Sequence, residues 1–157
     1  MEFLSDSGVS LNEIWPVMKE VIESDGEFSF FPHGTSMLPL IRQGKDAVVL
    51  VKAETVKVGD AVFYRRDNGQ FVLHRIVKIK NNEYIMCGDN QSSLEYGITR
   101  AHILAKVKSI KRDGYTVDES VLEYRRYVKS LASKRLKRRI KRKLAKIKNK
   151  IFKKKTV

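Results

Sequence analysis

The sequence has one cysteine, Cys87, in 157 residues. An internal disulfide is therefore excluded, which fits a reducing compartment. No run approaches the roughly 18–20 apolar residues that a membrane-spanning helix needs. Met1 to Ser10 has neither the basic start nor the apolar stretch of a secretory signal. No segment repeats internally. Acids are missing altogether after Glu123: residues 1–123 hold all 18 acids and 15 of the 32 bases, and residues 124–157 hold the other 17 bases. A body of net charge −3 thus carries a segment of net charge +17. Such a segment calls for a polyanionic partner. The expectation is a cytoplasmic protein, peripheral at a membrane surface, with no transmembrane helix.

What is present is enough for one globular core, at 42% hydrophobic residues. Ser10 and Glu13 have capping-box spacing, and Leu11, Ile14, Trp15, Met18, Val21 and Ile22 follow with helical periodicity. The spacing predicts a short helix from about Leu11 to Glu23, with Pro16 counting against a regular one. Asp25-Gly26 ends it. Strands are predicted near 27–31, 47–52, 61–66, 70–80, 83–87, 105–112 and 115–117, with Asp67-Asn68-Gly69 as a hairpin turn. Many short strands with turn signals between them imply a mainly β fold, an antiparallel sheet or small barrel. From Asp118 the pattern becomes helical: Leu136, Ile140, Leu144, Ile147 and Ile151 fall in one narrow stripe among Lys and Arg. The expected division is an N-terminal helical lead (1–26), a β domain (27–117) and a basic amphipathic helical tail (118–157).

Three stretches carry chemistry. Gly34-Thr35-Ser36-Met37-Leu38-Pro39 puts a serine on a tight turn, where its hydroxyl and the neighbouring N–H groups can face a reacting carbonyl. Val72-Leu73-His74-Arg75-Ile76 supplies an imidazole. By strand alternation Val72, His74 and Ile76 share one face, and Leu73 and Arg75 the other. Cys87-Gly88-Asp89-Asn90 supplies a carboxylate. A hydroxyl, an imidazole and a carboxylate are the parts of a nucleophile, its base and the group that orients the base. Catalytic candidates are Ser36, His74 and Asp89. Gly-Asp-Asn is also turn chemistry in its own right, compatible with that role. Arg75 is expected in a structural ion pair, Asp60 in a turn and Cys87 in the core as a small apolar residue. His33 and His102 read as surface or turn residues.

These boxes, with Gly59-Asp60 between the first two, resemble the signal peptidase I family and the wider group of serine peptidases that includes the LexA-type self-cleaving repressors. The resemblance spans about half the chain, roughly Phe31 to Lys111. Leu73-His74-Arg75 stands where bacterial signal peptidases place a lysine, so the sequence is similar to the Ser-His branch. The resemblance implies a fold of coiled antiparallel β-sheets. It implies endopeptidase cleavage of an extended precursor peptide after a small residue, with no metal and no cofactor. It matches Asp89 to the family's functional acid and leaves Glu95, six residues on, as an additional candidate at a position where that branch has Asp. Taken alone, Glu95 reads as a surface acid. Thr35 is a further candidate beside the nucleophile, and Phe31, Met37 and Leu38 are candidates for the peptide cleft.

Arg135, Lys137, Arg138, Arg139, Lys141, Arg142 and Lys143 are the candidate polyanion contacts. The regular Leu/Ile spacing favours an anionic membrane surface. Nucleic acid fits less well, because Phe152 is the only aromatic from Leu136 onward on which a base could stack. Two other functions remain open: a non-catalytic module that grips an extended peptide by β-addition, and a self-cleaving repressor-like protein. Only about 30 residues precede the serine box, with no Ala-Gly pair among them, which ranks the last reading low.

Overall fold

The computed structural model describes residues 10–154, with side-chain surroundings as far as residue 147. The expectations about residues 1–9, and the side chains of Ile151 and Phe152, lie outside this range. Its elements in order are α1 (Leu11–Glu23), β1 (Phe28–Phe30), β2 (Ala47–Val51), β3 (Ala61–Arg65), β4 (Phe71–Lys80), β5 (Glu83–Cys87), β6 (Glu95–Ile98), a 3₁₀ turn (Arg100–His102), β7 (Ile103–Arg112), β8 (Tyr115–Val117) and α2 (Leu122–Lys154). The strands form one mainly antiparallel sheet in the order β1-β2-β7-β3-β4-β5-β6, with β8 added to β7. The sheet is not closed into a barrel. Among the described residues no helix is long and apolar enough to cross a membrane.

The two faces of the sheet bury different clusters. One gathers Leu50, Phe63, Phe71, Leu73, Ala105 and Ile110 together with Leu11, Met18 and Ile22 of α1. The other gathers Val62, Tyr64, Val72, Ile76, Met86, Ile98 and Ile103. The alternation along β4 produces this split, since Val72 and Ile76 go one way and Leu73 the other. Helix α1 keeps its capping box, with Ser10 N–H donating to Glu13 Oε2 at 2.9 Å. It runs straight through Pro16. One lost backbone bond is outweighed by Leu11, Met18 and Ile22, each worth about 1.5–3 kcal/mol when fully buried. Trp15 adds ring contacts to Phe63 at 6.0 Å and Phe71 at 5.6 Å. Gly26 ends the helix where only glycine fits: a Cβ would lie 2.7 Å from Val21 O.

Helix α2 begins against the same face. Tyr124 and Tyr127 pack on the first cluster, and Leu131 is buried. Strand β6 has no counterpart in the predicted elements. It is four residues long, and Gly97 in it has φ of 80°, so it shows neither the length nor the alternation by which strands are recognised.

Candidate active site

The Ser36 turn is set by its surroundings rather than by its own hydrogen bonds alone. Gly34, at φ 105°, donates its N–H to Gln43 Oε1 at 2.8 Å. Beyond the turn, Asp46 is fully buried and accepts from Arg42 N (2.7 Å), Arg42 Nη2 (2.7 Å) and Arg112 Nη2 (2.6 Å). Burial works against this carboxylate, but the bonds from Arg112 and Arg42 hold it well below the usual carboxylate range. Arg112 Nη2 also donates to Leu40 O. The exit of the turn is thereby tied to β7, an anchor absent from the sequence-level reading.

The Gly88-Asp89-Asn90 loop lies directly on the turn. Asn90 N–H donates to Ser36 O at 2.7 Å, and Asn90 Nδ2 donates to Thr35 O at 3.2 Å. A Cβ on Gly88 would sit 2.7 Å from Ser36 O. Two members of the box thus serve the Ser36 backbone, one by clamping it and one by staying out of its way.

Ser36 and His74 line one small cavity of about 100 Å³, shared with Arg66, Gln70, Phe71, Val72 and Gln91. His74 is buried on β4. Its Nδ1 lies 3.2 Å from the Tyr64 hydroxyl and 3.7 Å from Glu95 Oε2. Tyr64 donates its single proton to Glu95 Oε2 at 2.8 Å. The hydroxyl can therefore only accept from His74, so in the neutral imidazole the hydrogen sits on Nδ1 and Nε2 keeps its lone pair. Arg66 closes the chain, giving Nε to Glu95 Oε1 and Nη2 to Glu95 Oε2, both at 2.6 Å. Burial opposes charge on Glu95, yet the bonds from Arg66 and Tyr64, with the His74 ring nearby, hold its carboxyl well below the ordinary range. Burial, with Glu95 beside it, pushes the Tyr64 hydroxyl above its usual value.

Asp89 is not the acid that meets His74. It forms a two-pronged ion pair with Arg75, at 2.8 Å from Nε and 2.7 Å from Nη2. Both side chains are almost wholly buried. Arg75 further donates to Gly59 O at 2.7 Å and Tyr124 Oη at 3.2 Å, while Tyr127 Oη donates to Asp89 Oδ2 at 3.3 Å. The physical reason is strand alternation: adjacent residues of β4 point to opposite faces, and Asp89 takes the Arg75 side. The acid nearest His74 is instead Glu95, the additional candidate, which read by itself as a surface acid and is only 23% exposed in its side chain.

Met37 is 4% exposed and belongs to the core cluster, so it does not line the cleft. Leu38 is half-buried and Phe31 exposed, and neither borders the cavity shared by Ser36 and His74. Thr35 is exposed. Arg75 makes the ion pair expected of it. Asp60 accepts from Lys57 N–H at 2.9 Å in its turn, and Cys87 is buried, which pushes its thiol up. Of the basic candidates, Arg138 donates to Asp89 O at 2.6 Å and Arg142 to Ser92 Oγ at 2.7 Å, so both hold the site loop. Tyr64 and Arg66 went unrecognised in the sequence. Tyr64 pairs two places from Val62↔His74 in the β3–β4 register, on the same face, and that register was the signal available. Among the described residues no cluster of His, Cys, Asp and Glu is placed to hold a metal ion.

An open antiparallel sheet that brings a turn serine and a strand histidine to one cavity, with a half-buried acid behind the histidine, defines a protein of peptidase fold. Residues 5–108, about two thirds of the chain, match the family described as Peptidase S24-like, and the chain belongs to that family. The match agrees with the resemblance carried by the serine, histidine and Gly-Asp-Asn boxes. Comparisons with curated proteins and with solved structures returned no match.

Proposed function

We propose that this protein is a serine endopeptidase acting through Ser36 and His74, with Tyr64 and Glu95 as positioning residues. Ser36 Oγ attacks the scissile carbonyl while His74 Nε2 takes its proton. The imidazolium that forms is stabilised through Nδ1–H to the Tyr64 hydroxyl and on to the Glu95 carboxylate. His74 then returns the proton to the leaving amine, and water hydrolyses the acyl-Ser36 ester by the reverse route. Backbone N–H groups of the Ser36 turn face the oxyanion, on a backbone kept in place by Asn90. The substrate is an extended precursor peptide with a small residue before the scissile bond, in keeping with a cavity of about 100 Å³ bounded by Phe71 and Val72.

The observation that carries this reading is the convergence of Ser36 and His74 on one cavity, with the histidine's other nitrogen engaged by Tyr64. A peptide-binding module would need no base with a free lone pair. The test is labelling with a fluorophosphonate, followed by mapping of the adduct by mass spectrometry. Wild-type protein should carry the adduct on Ser36. The Ser36→Ala variant should carry none there, and His74→Ala should slow labelling by about 10³-fold or more. Absence of an adduct in folded wild-type protein would sink the proposal.

A further inference from the structure

Helix α2 has two faces of different character over the same stretch. At about 100° per residue, Tyr127, Leu131, Arg138 and Arg142 fall on one side. These are the residues that pack on the core, bond Asp89 O and bond Ser92 Oγ. Leu136, Ile140, Leu144 and Ile147 fall on roughly the opposite side, and they are 58%, 51%, 60% and 54% exposed, with Leu136 also edging a groove beside Val77, Ile85 and Tyr96. The stripe runs for about 17 Å of helix. Lys137, Arg139, Lys141 and Lys143 flank it, all exposed. No acid follows Glu123 anywhere in the sequence.

We infer that this outer face of α2 is a docking surface for an anionic lipid bilayer, entered by Leu136, Ile140, Leu144 and Ile147 with the flanking Lys and Arg on the headgroups. An apolar stripe within a strongly basic, weakly hydrophobic helix is the pattern that lies flat in a membrane interface. A second copy of the chain is a poor occupant. Pairing two such stripes brings rows of Lys and Arg together with no acid to separate them. Nucleic acid would satisfy the charge but leave four large apolar side chains in water. The inner face holds the loop that carries Asp89 and Asn90, so the bilayer lies on the far side of α2 from that loop. The inference stands apart from the peptidase reading, since none of these residues lines the cavity of Ser36 and His74.

The test is flotation of the full chain with vesicles of phosphatidylcholine alone and of phosphatidylcholine mixed with phosphatidylglycerol. Anisotropy with a labelled duplex oligonucleotide runs beside it. The informative variant is Ile140→Gln with Leu144→Gln, which preserves charge and helix propensity at exposed positions. Wild-type protein should float with the phosphatidylglycerol vesicles, and the double variant should partition at least about tenfold less. Its circular dichroism and its affinity for the oligonucleotide should be unchanged. Equal partition by wild type and the double variant would overturn the inference. So would a wild-type protein that binds the oligonucleotide and no vesicle, or neither. Ser36→Ala should float like wild type, so a failed peptidase reading leaves this result standing.

Discussion

Two neighbours on β4, His74 and Arg75, face opposite sides of one sheet, and each has its own acid. On one side Glu95 reaches through Tyr64 to His74, which lines a cavity with Ser36. On the other Asp89 locks Arg75 among Gly59, Tyr124 and Tyr127, with both charges almost fully buried. The first pair stands at a cavity, with His74 on its lining. The second is a closed ion pair whose work is to hold the loop that clamps the Ser36 turn. Two acids close in sequence therefore have different partners, and the face of the strand decides which has which.

The sharpest way to break this comparison is to remove each acid in turn. Asp89→Ala leaves a buried guanidinium without its counter-charge, and urea unfolding should show a loss of about 3–5 kcal/mol. Glu95→Gln should leave the fold largely intact and slow fluorophosphonate labelling of Ser36 by about 10–100-fold, as expected for a group acting through the base. Gly88→Ala probes the loop that joins the two sides. A Cβ 2.7 Å from Ser36 O must push the turn or the loop away, and a loss of about 1–3 kcal/mol in stability should come with slower labelling. Tyr64→Phe removes the bridging hydroxyl alone and should slow labelling by about tenfold.

A smaller effect is the pH dependence of the Glu95 contacts. The folded carboxyl of Glu95 titrates below its unfolded value, about 4.3. Its stabilisation is fully present above that pH and is lost as pH falls through the lower folded value. The stability difference between wild type and Glu95→Gln, followed by thermal unfolding, should therefore hold constant from neutral pH down to about 4.3 and shrink below it.

Much of this was legible in the sequence. The capping box at Ser10 and Glu13, the Asn-Gly hairpin and the alternating strands gave the mainly β architecture, because each is a local signal read from a few adjacent residues. The serine turn and the strand histidine were legible for the same reason. The partner of His74 was not, although the needed fact lay in the alternation itself. If His74 and Arg75 face opposite ways, one carboxylate cannot serve both, and an arginine in a buried strand has the stronger claim on Asp89. Glu95 is legible only as an additional candidate, because β6 is a four-residue strand containing a glycine at positive φ, and an acid on an unrecognised strand looks like an acid on a loop. Met37 was assigned to the cleft by proximity in sequence to Ser36. Which way a turn residue points depends on contacts from β7 and the Gly88–Asn90 loop, and these are long-range.

The division of labour between the two acids has one direct test. The second-order rate constant for fluorophosphonate acylation of Ser36 would be measured in Glu95→Gln and in Asp89→Asn, each normalised to the folded fraction. The expected result is a slow Glu95→Gln and an Asp89→Asn that labels, per folded molecule, within about threefold of wild type. A normal rate in Glu95→Gln beside a collapsed rate in folded Asp89→Asn would contradict the account and return the orienting role to Asp89.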